Sequence, residues 1–394
     1  MPPQRPIILL AHGFRPFFLL AGLYGALPVA VWLAAFGGAL ALPGAFSPML
    51  WHGHEMLFGF ATAALCGFLL TAVPNWTQTE AVKGGRLALL VVLWLAGRMA
   101  FFLADILPPA AVAAADILLI PVLAVMVGAP IFARRQKRNY FFPALLIALF
   151  AANSLFHLGN MGLISGAPES GLYLALYAFA MILSLISGRV VPNFTVSAIR
   201  LRGEEAEFRI SMPLELSAFV AIAATAVADL SMDGGFFSGV LALVAAALLG
   251  LRMKNWHTGK SLGEPLLWVL HLGGAWLVLG FVSLGLADLT GVISKNTAFH
   301  ALTIGAMGTM ALGIMTRASL GHSGRPFILA KPIPAAYLLV SLAALARVAG
   351  PAAAPSAYQT FVMVAGLFWA AAFAIFTIVY WPILTQPRAD GKPG

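Results

Sequence analysis

Long apolar segments recur along this chain and constrain its fold more than any other feature. One of them runs from Met56 to Thr79 without a charged residue, and about 20 apolar residues suffice to cross a bilayer. Because lipid offers the backbone no hydrogen-bond partners, such a segment must form a helix that satisfies its own polar groups. Only 9% of the 394 residues are charged and 61% are hydrophobic, whereas soluble domains contain about 25% charged residues. The sequence therefore predicts an all-α polytopic membrane protein.

Twelve apolar windows have the length and composition of spanning helices. Their predicted bounds are residues 16–40, 51–74, 86–104, 108–132, 141–165, 171–191, 213–230, 235–251, 265–287, 297–317, 333–350 and 358–381. The first window continues to full spanning length, which favours a membrane helix over a cleaved signal peptide. The connecting loops are too short for a soluble domain. We therefore expect a single transmembrane domain over residues 1–394.

The basic residues lie mostly in alternate loops, which predicts an orientation. The loops on one side hold 20 of the 23 Lys and Arg residues. These are Arg5, Arg15, Lys83, Arg86, Arg134, Arg135, Lys137, Arg138, Arg189, Arg200, Arg202, Arg209, Arg252, Lys254, Lys260, Arg317, Arg325, Lys331, Arg388 and Lys392. The positive-inside rule places this side, with both termini, in the cytoplasm, and an even number of spans agrees.

The net charge of +9 does not indicate a nucleic-acid partner. The basic residues of the chain are divided among short loops and form no stripe with interleaved aromatic side chains, so we expect no nucleic acid to bind. The one cysteine, Cys66, lies inside a predicted span. A single cysteine excludes an internal disulfide, a covalent Cys-x-x-Cys-His haem site and a cysteine zinc cluster.

A short motif occurs twice and points to an internal repeat. The pentapeptide at residues 73–77 (VPNWT) is matched by residues 191–195 (VPNFT), and both are predicted to end a helix. The second and tenth helices share a spacing, with His54, Gly59 and Gly67 in one and His300, Gly305 and Gly313 in the other. We predict three pseudo-repeats of four helices, at residues 10–139, 140–260 and 261–385. Sites in membrane proteins with internal repeats tend to lie where repeats meet.

Four histidines are predicted to share one depth, near the periplasmic ends of their helices. They are His52, His54, His157 and His300, while His271 lies nearer the middle or the cytoplasmic side. Ionisable groups at membrane depth are costly, and imidazole is the commonest metal ligand. Successive helical residues turn by about 100°, so His52 and His54 point to nearly opposite faces and suit two neighbouring sites. A histidine in a membrane helix also serves often as a hydrogen-bonding group alone.

The charged residues inside spans leave alternatives open. Arg98 and Arg347 lie in the periplasmic half, where they could hold haem propionates, pair with Asp116, or extend to the interface. Asp116 is the one deep carboxylate. Together with Glu55 it could carry protons, or it could neutralise an arginine.

Four blocks of the sequence resemble the signature regions of the NnrS family. They are residues 13–19 (GFRPFFL), 51–60 (WHGHEMLFGF), 72–77 (AVPNWT) and 315–326 (MTRASLGHSGRP). The resemblance runs from about residue 10 to the last helix. It implies a bacterial inner-membrane protein of twelve spans that binds haem and copper, associated with denitrification and with resistance to nitric oxide and nitrosative stress.

A second resemblance is architectural. Twelve helices in three units of four, with histidines on the second and tenth, are similar to the catalytic subunits of haem-copper oxidases and nitric oxide reductases. The sixth helix of this chain has no histidine and no His-His pair follows it, so the three-histidine copper site of those enzymes is missing. The His-x-His pair lies on the second helix, not the tenth. Oxygen reduction of that kind is not expected.

The combined prediction is a b-type haem protein that handles nitric oxide. We expect His54 and His300 to be axial ligands of one haem, and His52 with His157 and His271 to form a second metal or haem centre. Arg98 and Arg347 are the predicted propionate partners, copper is a further metal that the resemblance implies, and an unidentified donor supplies electrons. Two alternatives stay open: a transporter or copper-handling protein, and a nitric oxide sensor without turnover.

Overall fold

A computed structural model of the chain describes residues 7–392, so Arg5 lies outside the described residues. The chain is 79% helical, and the described residues contain no β-strand. Twelve helices among the described residues are long and apolar enough to cross a membrane. The predicted fold class and number of spans are confirmed, while the inner membrane as location and the orientation of the termini stay predictions.

The twelve spanning helices are numbered here in chain order. They are α1 (Phe14–Phe36), α2 (Pro48–Thr77), α3 (Gly85–Phe102), α4 (Pro109–Ala133), α5 (Lys137–Asn160), α6 (Ala167–Leu201), α7 (Met212–Met232), α8 (Phe236–Met253), α9 (Pro265–Thr290), α10 (Lys295–His322), α11 (Pro332–Ala353) and α12 (Pro355–Thr385).

The repeated pentapeptide does not end α6, contrary to the prediction. That helix continues through Pro192 to Leu201. Proline removes one backbone donor, and side chains beside it add bonds to nearby carbonyls. Asn193 Nδ2 donates to the Arg189 carbonyl at 2.6 Å and Thr195 Oγ1 donates to the Val191 carbonyl at 2.9 Å.

The same pattern recurs in the first copy of the pentapeptide. In α2, Asn75 Nδ2 donates to the Thr71 carbonyl at 3.0 Å, and Thr77 Oγ1 donates to the Val73 carbonyl at 2.8 Å. Both asparagines therefore bond four residues back within the helix and do not cap its end. The two copies are alike in hydrogen bonding as well as in sequence.

Helices α2 and α10 share two further local features. Each begins with a serine cap: Ser47 accepts from the Leu50 N–H and Ser294 accepts from the Thr297 N–H, which satisfies a donor left open at a helix start. Each then widens into a π-helical segment directly after its matched histidine, Glu55–Ala61 in α2 and Ala301–Gly308 in α10. Such segments occur often at functional sites.

The described chain divides into two compact units. Unit 1 contains residues up to 175, residues 315–328 and residues from 373 onward; unit 2 contains residues 176–314 and 329–372. In unit 1, α1 packs on α2, and α4 packs on α2, α3 and α5. In unit 2, α7, α8, α9, α10 and α11 pack in that order, each against the next. The division into three units of four helices stays a prediction.

In unit 1, Arg15 joins the start of α1 to the end of α12. Its side chain is fully buried, and Nη1 donates to the carbonyls of Leu384 at 3.0 Å and Gln386 at 2.7 Å. The last carbonyls of a helix have no partners within it and attract positive charge. The arginine of the first signature block therefore caps the last helix.

Three distant segments meet around Arg15 in what we call the basic junction: His12, Arg15, His322, Arg325 and Arg388. The His12 and His322 ring centroids are 5.8 Å apart. Arg388 Nη1 donates to the His322 carbonyl at 3.0 Å. Burial, followed by the neighbouring His322, Arg15 and Arg388, lowers the pKa of His12 to about 4. The junction thus brings the first and last signature blocks together.

The low pKa of His12 predicts a loss of stability in acid. Between about pH 6.5 and 4 the unfolded chain takes up a proton at His12 that the folded chain does not, so stability falls as the pH falls through this window. The loss should reach up to about 3 kcal/mol below pH 4. The thermal midpoint in phosphate-free detergent solution should therefore fall more steeply between pH 6.5 and 4 for the wild type than for His12→Gln. Parallel profiles would contradict the assignment.

Candidate functional site

A buried polar cluster lies in unit 1, and α2 contributes its first two members. His54 and Glu55 are both completely buried. His54 Nδ1 lies 3.1 Å from Glu55 Oε1, and the Tyr24 hydroxyl of α1 donates to Glu55 Oε2. Glu55 is the first residue of the π-helical segment, where the wider turn changes the direction of the following side chains.

Arg98 of α3 links two carboxylates in this cluster. Its Nη1 donates to Glu55 Oε1 at 2.5 Å and its Nη2 donates to Asp116 Oδ1 of α4. All three side chains are at most 5% exposed. Pairing with Asp116, one of the three roles predicted for Arg98, is therefore the one that the structure contains. Both Nη atoms of Arg98 bind carboxylates.

Helix α5 completes the cluster with Asn153 and His157, one turn apart. Both side chains contact Asp116 Oδ2, which accepts from Asn153 Nδ2 at 2.8 Å and lies 2.9 Å from His157 Nε2. The second nitrogen of His54, Nε2, lies 3.1 Å from the same carboxylate oxygen and 3.0 Å from Asn153 Oδ1. Both side chains are buried, so this face of α5 points into the interior of unit 1.

Aromatic side chains enclose the imidazole of His54. Its ring stacks on Phe101, with centroids 4.0 Å apart and an interplanar angle of 12°. Phe156 and Phe58 follow at 4.5 and 4.8 Å. An apolar wall of this kind excludes water, so each charge in the cluster interacts more strongly with its partners than it would in solution.

The fixed charges of the cluster do not cancel. Glu55 and Asp116 carry two negative charges and Arg98 carries one positive charge, so one negative charge remains when both histidines are neutral. A buried net charge is costly. One bound proton or one monovalent cation would neutralise the cluster, which makes it a place to hold either.

The cluster offers a donor set for a metal ion. One ligand atom each from His54, Asp116 and His157 lies within 4.8 Å of the other two. Two imidazole nitrogens and one carboxylate oxygen suit copper, iron or zinc. The residues present therefore fit a single transition-metal ion.

The cluster fits a single metal ion but does not fit a haem. Both nitrogens of His54 face hydrogen-bond partners, and phenylalanine rings cover the imidazole. The cavity that borders Arg98, Asp116 and Asn153 has a volume of about 10 Å³, which is room for about one water molecule, whereas pockets for organic ligands typically measure about 300–1,000 Å³. The pairing of His54 with His300 of unit 2 as haem ligands stays a prediction.

The family model described as NnrS protein matches residues 8–388, nearly the whole chain. The chain belongs to the NnrS family. No match is found among curated proteins. The resemblance inferred from the four signature blocks is therefore confirmed.

The other histidine predicted on α2, His52, lies on a different face from His54, as the helical geometry predicts. Its ring stacks on Trp32 of α1 with centroids 4.3 Å apart. The structure thus brings His157 together with His54, while His52 packs against an aromatic ring. The role of His52 as a ligand stays a prediction for this NnrS protein.

Three further predicted residues belong to unit 2. His271 is buried between two hydroxyls, with Nε2 2.8 Å from Thr195 Oγ1 and Nδ1 3.0 Å from Thr258 Oγ1, which is the environment of a hydrogen-bonded structural histidine. His300 Nδ1 lies 2.7 Å from the carbonyl of Asn296, one turn earlier in α10.

Arg347 of α11 contacts Tyr358, which lies in α12. Its Nη2 donates to the tyrosine hydroxyl at 3.2 Å, and its guanidinium lies 5.4 Å from the ring centroid. Its Nη1 is buried without a hydrogen-bond partner among the described residues. A propionate role for Arg347 is untested and stays a prediction, as it does for Arg98.

Sequence reasoning missed Tyr24 and the contact between Asn153 and Asp116. The position of Tyr24 inside an apolar helix could have indicated a polar contact, because a buried hydroxyl needs a hydrogen-bond partner. Its partner lies on another helix, and no spacing within the sequence identifies it.

Gly97, next to Arg98, allows Asp116 to approach α3. A Cβ at Gly97 would lie 2.8 Å from Asp116 Oδ1 and 3.0 Å from its Cα. We expect Gly97→Ala to lower stability by about 1–3 kcal/mol through overpacking, and to weaken any metal bound by Asp116. Gly85→Ala, at the start of the same helix with open space around it, is the matched control and should be neutral. Thermal unfolding of both variants in detergent tests this, and equal midpoints would contradict it.

Proposed function

We propose that this chain binds or reduces nitric oxide at the cluster around His54, in denitrification or in resistance to nitrosative stress. Membership of the NnrS family supports the link to nitric oxide. The observation that carries the proposal is the buried donor set of His54, Asp116 and His157 inside spanning helices. Nitric oxide is small and apolar, so it can reach such a site through the lipid.

The chemistry proposed for the cluster has two parts. A copper or iron ion held by His54, Asp116 and His157 would supply a coordination position for nitric oxide. Reduction of two nitric oxide molecules to nitrous oxide and water consumes two electrons and two protons. An external donor must supply the electrons. Glu55, which lies beside His54 but is not one of the three ligand residues, could hold one of the two protons, and the second must come from water.

Two cofactors are proposed, a metal ion and haem b, and they rest on different observations. A metal ion, with copper as the prime candidate, is supported by the donor set. Haem b is supported by the family resemblance alone, and its predicted ligands His54 and His300 need a test of their own. Purified protein without a Soret band would overturn the haem proposal. A band that His54→Ala and His300→Ala both leave unchanged would overturn the ligand pairing.

The direct test uses purified chain in detergent under anaerobic conditions. Metal analysis and a pyridine haemochrome assay define its cofactors, and nitric oxide is then added with an artificial reductant. Nitrous oxide formation supports a reductase. Spectral change without nitrous oxide supports a binding protein or sensor. No response from metal-loaded protein would overturn the proposal.

A copper-handling protein is the second candidate, because the donor set requires no nitric oxide. Copper transport would need the ion to leave the cluster, which is enclosed by phenylalanine rings. Copper that exchanges rapidly with a chelator, together with no response to nitric oxide, would favour this candidate over the first.

A further inference from the structure

The basic junction in unit 1 contains more positive charge than its acid partner neutralises. Arg325 and Arg388 both lie close enough to Arg15 to act on it electrostatically. Among the described residues, the acid recorded in hydrogen bonds here is Asp390, which accepts from Arg388 at 2.9 and 2.6 Å. Arg325 and Arg388 carry two positive charges against the one carboxylate of Asp390, which leaves one positive charge in excess among these three side chains. Like charges held together favour a bound anion.

Polar side-chain atoms of the junction are also left without hydrogen bonds. Arg325 Nη1 and His12 Nδ1 are buried atoms without a hydrogen-bond partner among the described residues. A buried polar atom without a partner is unfavourable. The unpartnered atoms and the excess charge belong to the same junction, where an oxyanion would accept from Arg325 Nη1 and neutralise the excess positive charge.

Asp390 already occupies part of this junction with a carboxylate. Its two oxygens accept from Nε and Nη2 of Arg388, the forked arrangement in which arginine also binds phosphate. The tail is held in place by the Ala389 N–H, which donates to the Ser323 carbonyl at 3.0 Å. The Asp390 side chain is 28% exposed, so it can be displaced or joined by a second anion.

Apolar side chains beside the junction are exposed. Phe327 is 53% exposed and Ile328 is 74% exposed, and they lie two and three residues after Arg325 in the chain. Ile7, five residues before His12, is 66% exposed. Basic groups between spanning helices, next to apolar surface, suit the headgroup and acyl chain of an anionic lipid.

We propose that the basic junction is a binding site for a phosphate group, with Arg325 and Arg388 as its donors and Asp390 as an internal competitor. The phosphate can belong to an anionic lipid headgroup or to free inorganic phosphate, since both present the same oxygens. Arg15 positions the segments of the site, because its Nη1 binds the carbonyls at the end of α12.

The test uses the full chain and two probes. Inorganic phosphate is titrated into protein in neutral detergent, and lipid binding is measured in nanodiscs that contain phosphatidylglycerol in phosphatidylcholine, against phosphatidylcholine alone. The readouts are the thermal midpoint and the bound phosphate or lipid retained in native mass spectrometry. Stabilisation by phosphatidylglycerol alone identifies a lipid headgroup, and stabilisation by inorganic phosphate in detergent identifies free phosphate. Absence of both effects overturns the proposal.

Three variants sharpen the test. Arg325→Gln should weaken binding by about tenfold or more, the usual effect of losing a charged hydrogen bond. Asp390→Asn should strengthen it, by up to about fivefold, because an exposed competing charge is removed. Arg209→Gln, which removes a 91% exposed charge elsewhere, is the control and should leave phosphate binding unchanged.

If Arg325→Gln fails to fold, the site is tested by Asp390→Asn, which should bind phosphate more tightly than the wild type. Equal binding by wild type and Asp390→Asn would overturn the role of Asp390 as competitor, and equal binding by wild type and folded Arg325→Gln would overturn the site.

Discussion

Arg98→Gln is expected to lower the free energy of unfolding by about 3–5 kcal/mol, the usual cost of removing one partner from a buried ion pair. Arg98 donates to Glu55 and Asp116, and all three side chains are at most 5% exposed. Without the guanidinium, two carboxylates remain in an apolar environment with only neutral donors. Unfolding in mixed detergent micelles, monitored by far-UV circular dichroism, measures the loss.

A double variant separates charge from packing. Arg98→Gln leaves two negative charges in the cluster, and Arg98→Gln with Glu55→Gln returns it to one, as in the wild type. The double variant should therefore be more stable than Arg98→Gln alone, and the mutant cycle completed by Glu55→Gln measures the coupling between the two side chains. Arg209→Gln is the exposed control and should change stability by less than about 0.5 kcal/mol. A loss below about 1 kcal/mol for Arg98→Gln would show that the cluster is not held by charge.

The membrane fold could be predicted from the sequence because hydropathy depends on local composition. Every predicted window overlaps one observed helix, and the short segments that became α7, α8 and α11 are present. The ends were predicted less well. Helix α6 extends ten residues beyond its predicted end at 191 to Leu201, whereas the matching pentapeptide of α2 ends its helix at Thr77 with the same side-chain hydrogen bonds. The Pro-Asn pair predicts a helix end at both copies, and the structure has that end in α2 but not in α6.

The candidate site could be predicted only in part. The cost of ionisable groups at membrane depth pointed to His54, His157, Arg98 and Asp116 individually. Which of them meet depends on how α2, α3, α4 and α5 pack, and no sequence spacing determines that. Arg98 had three open interpretations, and only the packed helices show its two carboxylate partners.

The repeat between α2 and α10 shows what local sequence can reveal. Matched spacings after His54 and His300 predicted related structures, and both helices indeed begin with a serine cap and widen after the histidine. The surroundings differ, since His54 lies among Glu55, Asn153 and Asp116 in unit 1, whereas His300 Nδ1 faces a carbonyl of its own helix in unit 2. Local likeness therefore does not imply equal chemistry, and the two histidines need separate tests.

Metal binding should depend on His157, and this is the second large effect expected. His157→Ala removes one of three ligand atoms that lie within 4.8 Å of one another. Its recorded side-chain hydrogen bond is to Asp116, and it lies near the end of α5, so the variant should fold more readily than one at His54. Loss of a ligand should weaken copper binding by at least about a hundredfold, beyond the 10–100-fold typical of an outer partner.

The measurement is an anaerobic competition of the purified chain with a copper chelator of known affinity, repeated with ferrous iron. His257→Ala is the matched control, because its imidazole lies in a loop where Nε2 is 2.9 Å from the Glu207 carbonyl. Asp116→Asn should also weaken metal binding, and it measures the contribution of the carboxylate ligand apart from that of the imidazoles. If His157→Ala binds both metals as tightly as the His257→Ala control, the donor set of His54, Asp116 and His157 is a hydrogen-bonded network around Arg98 and not a metal site.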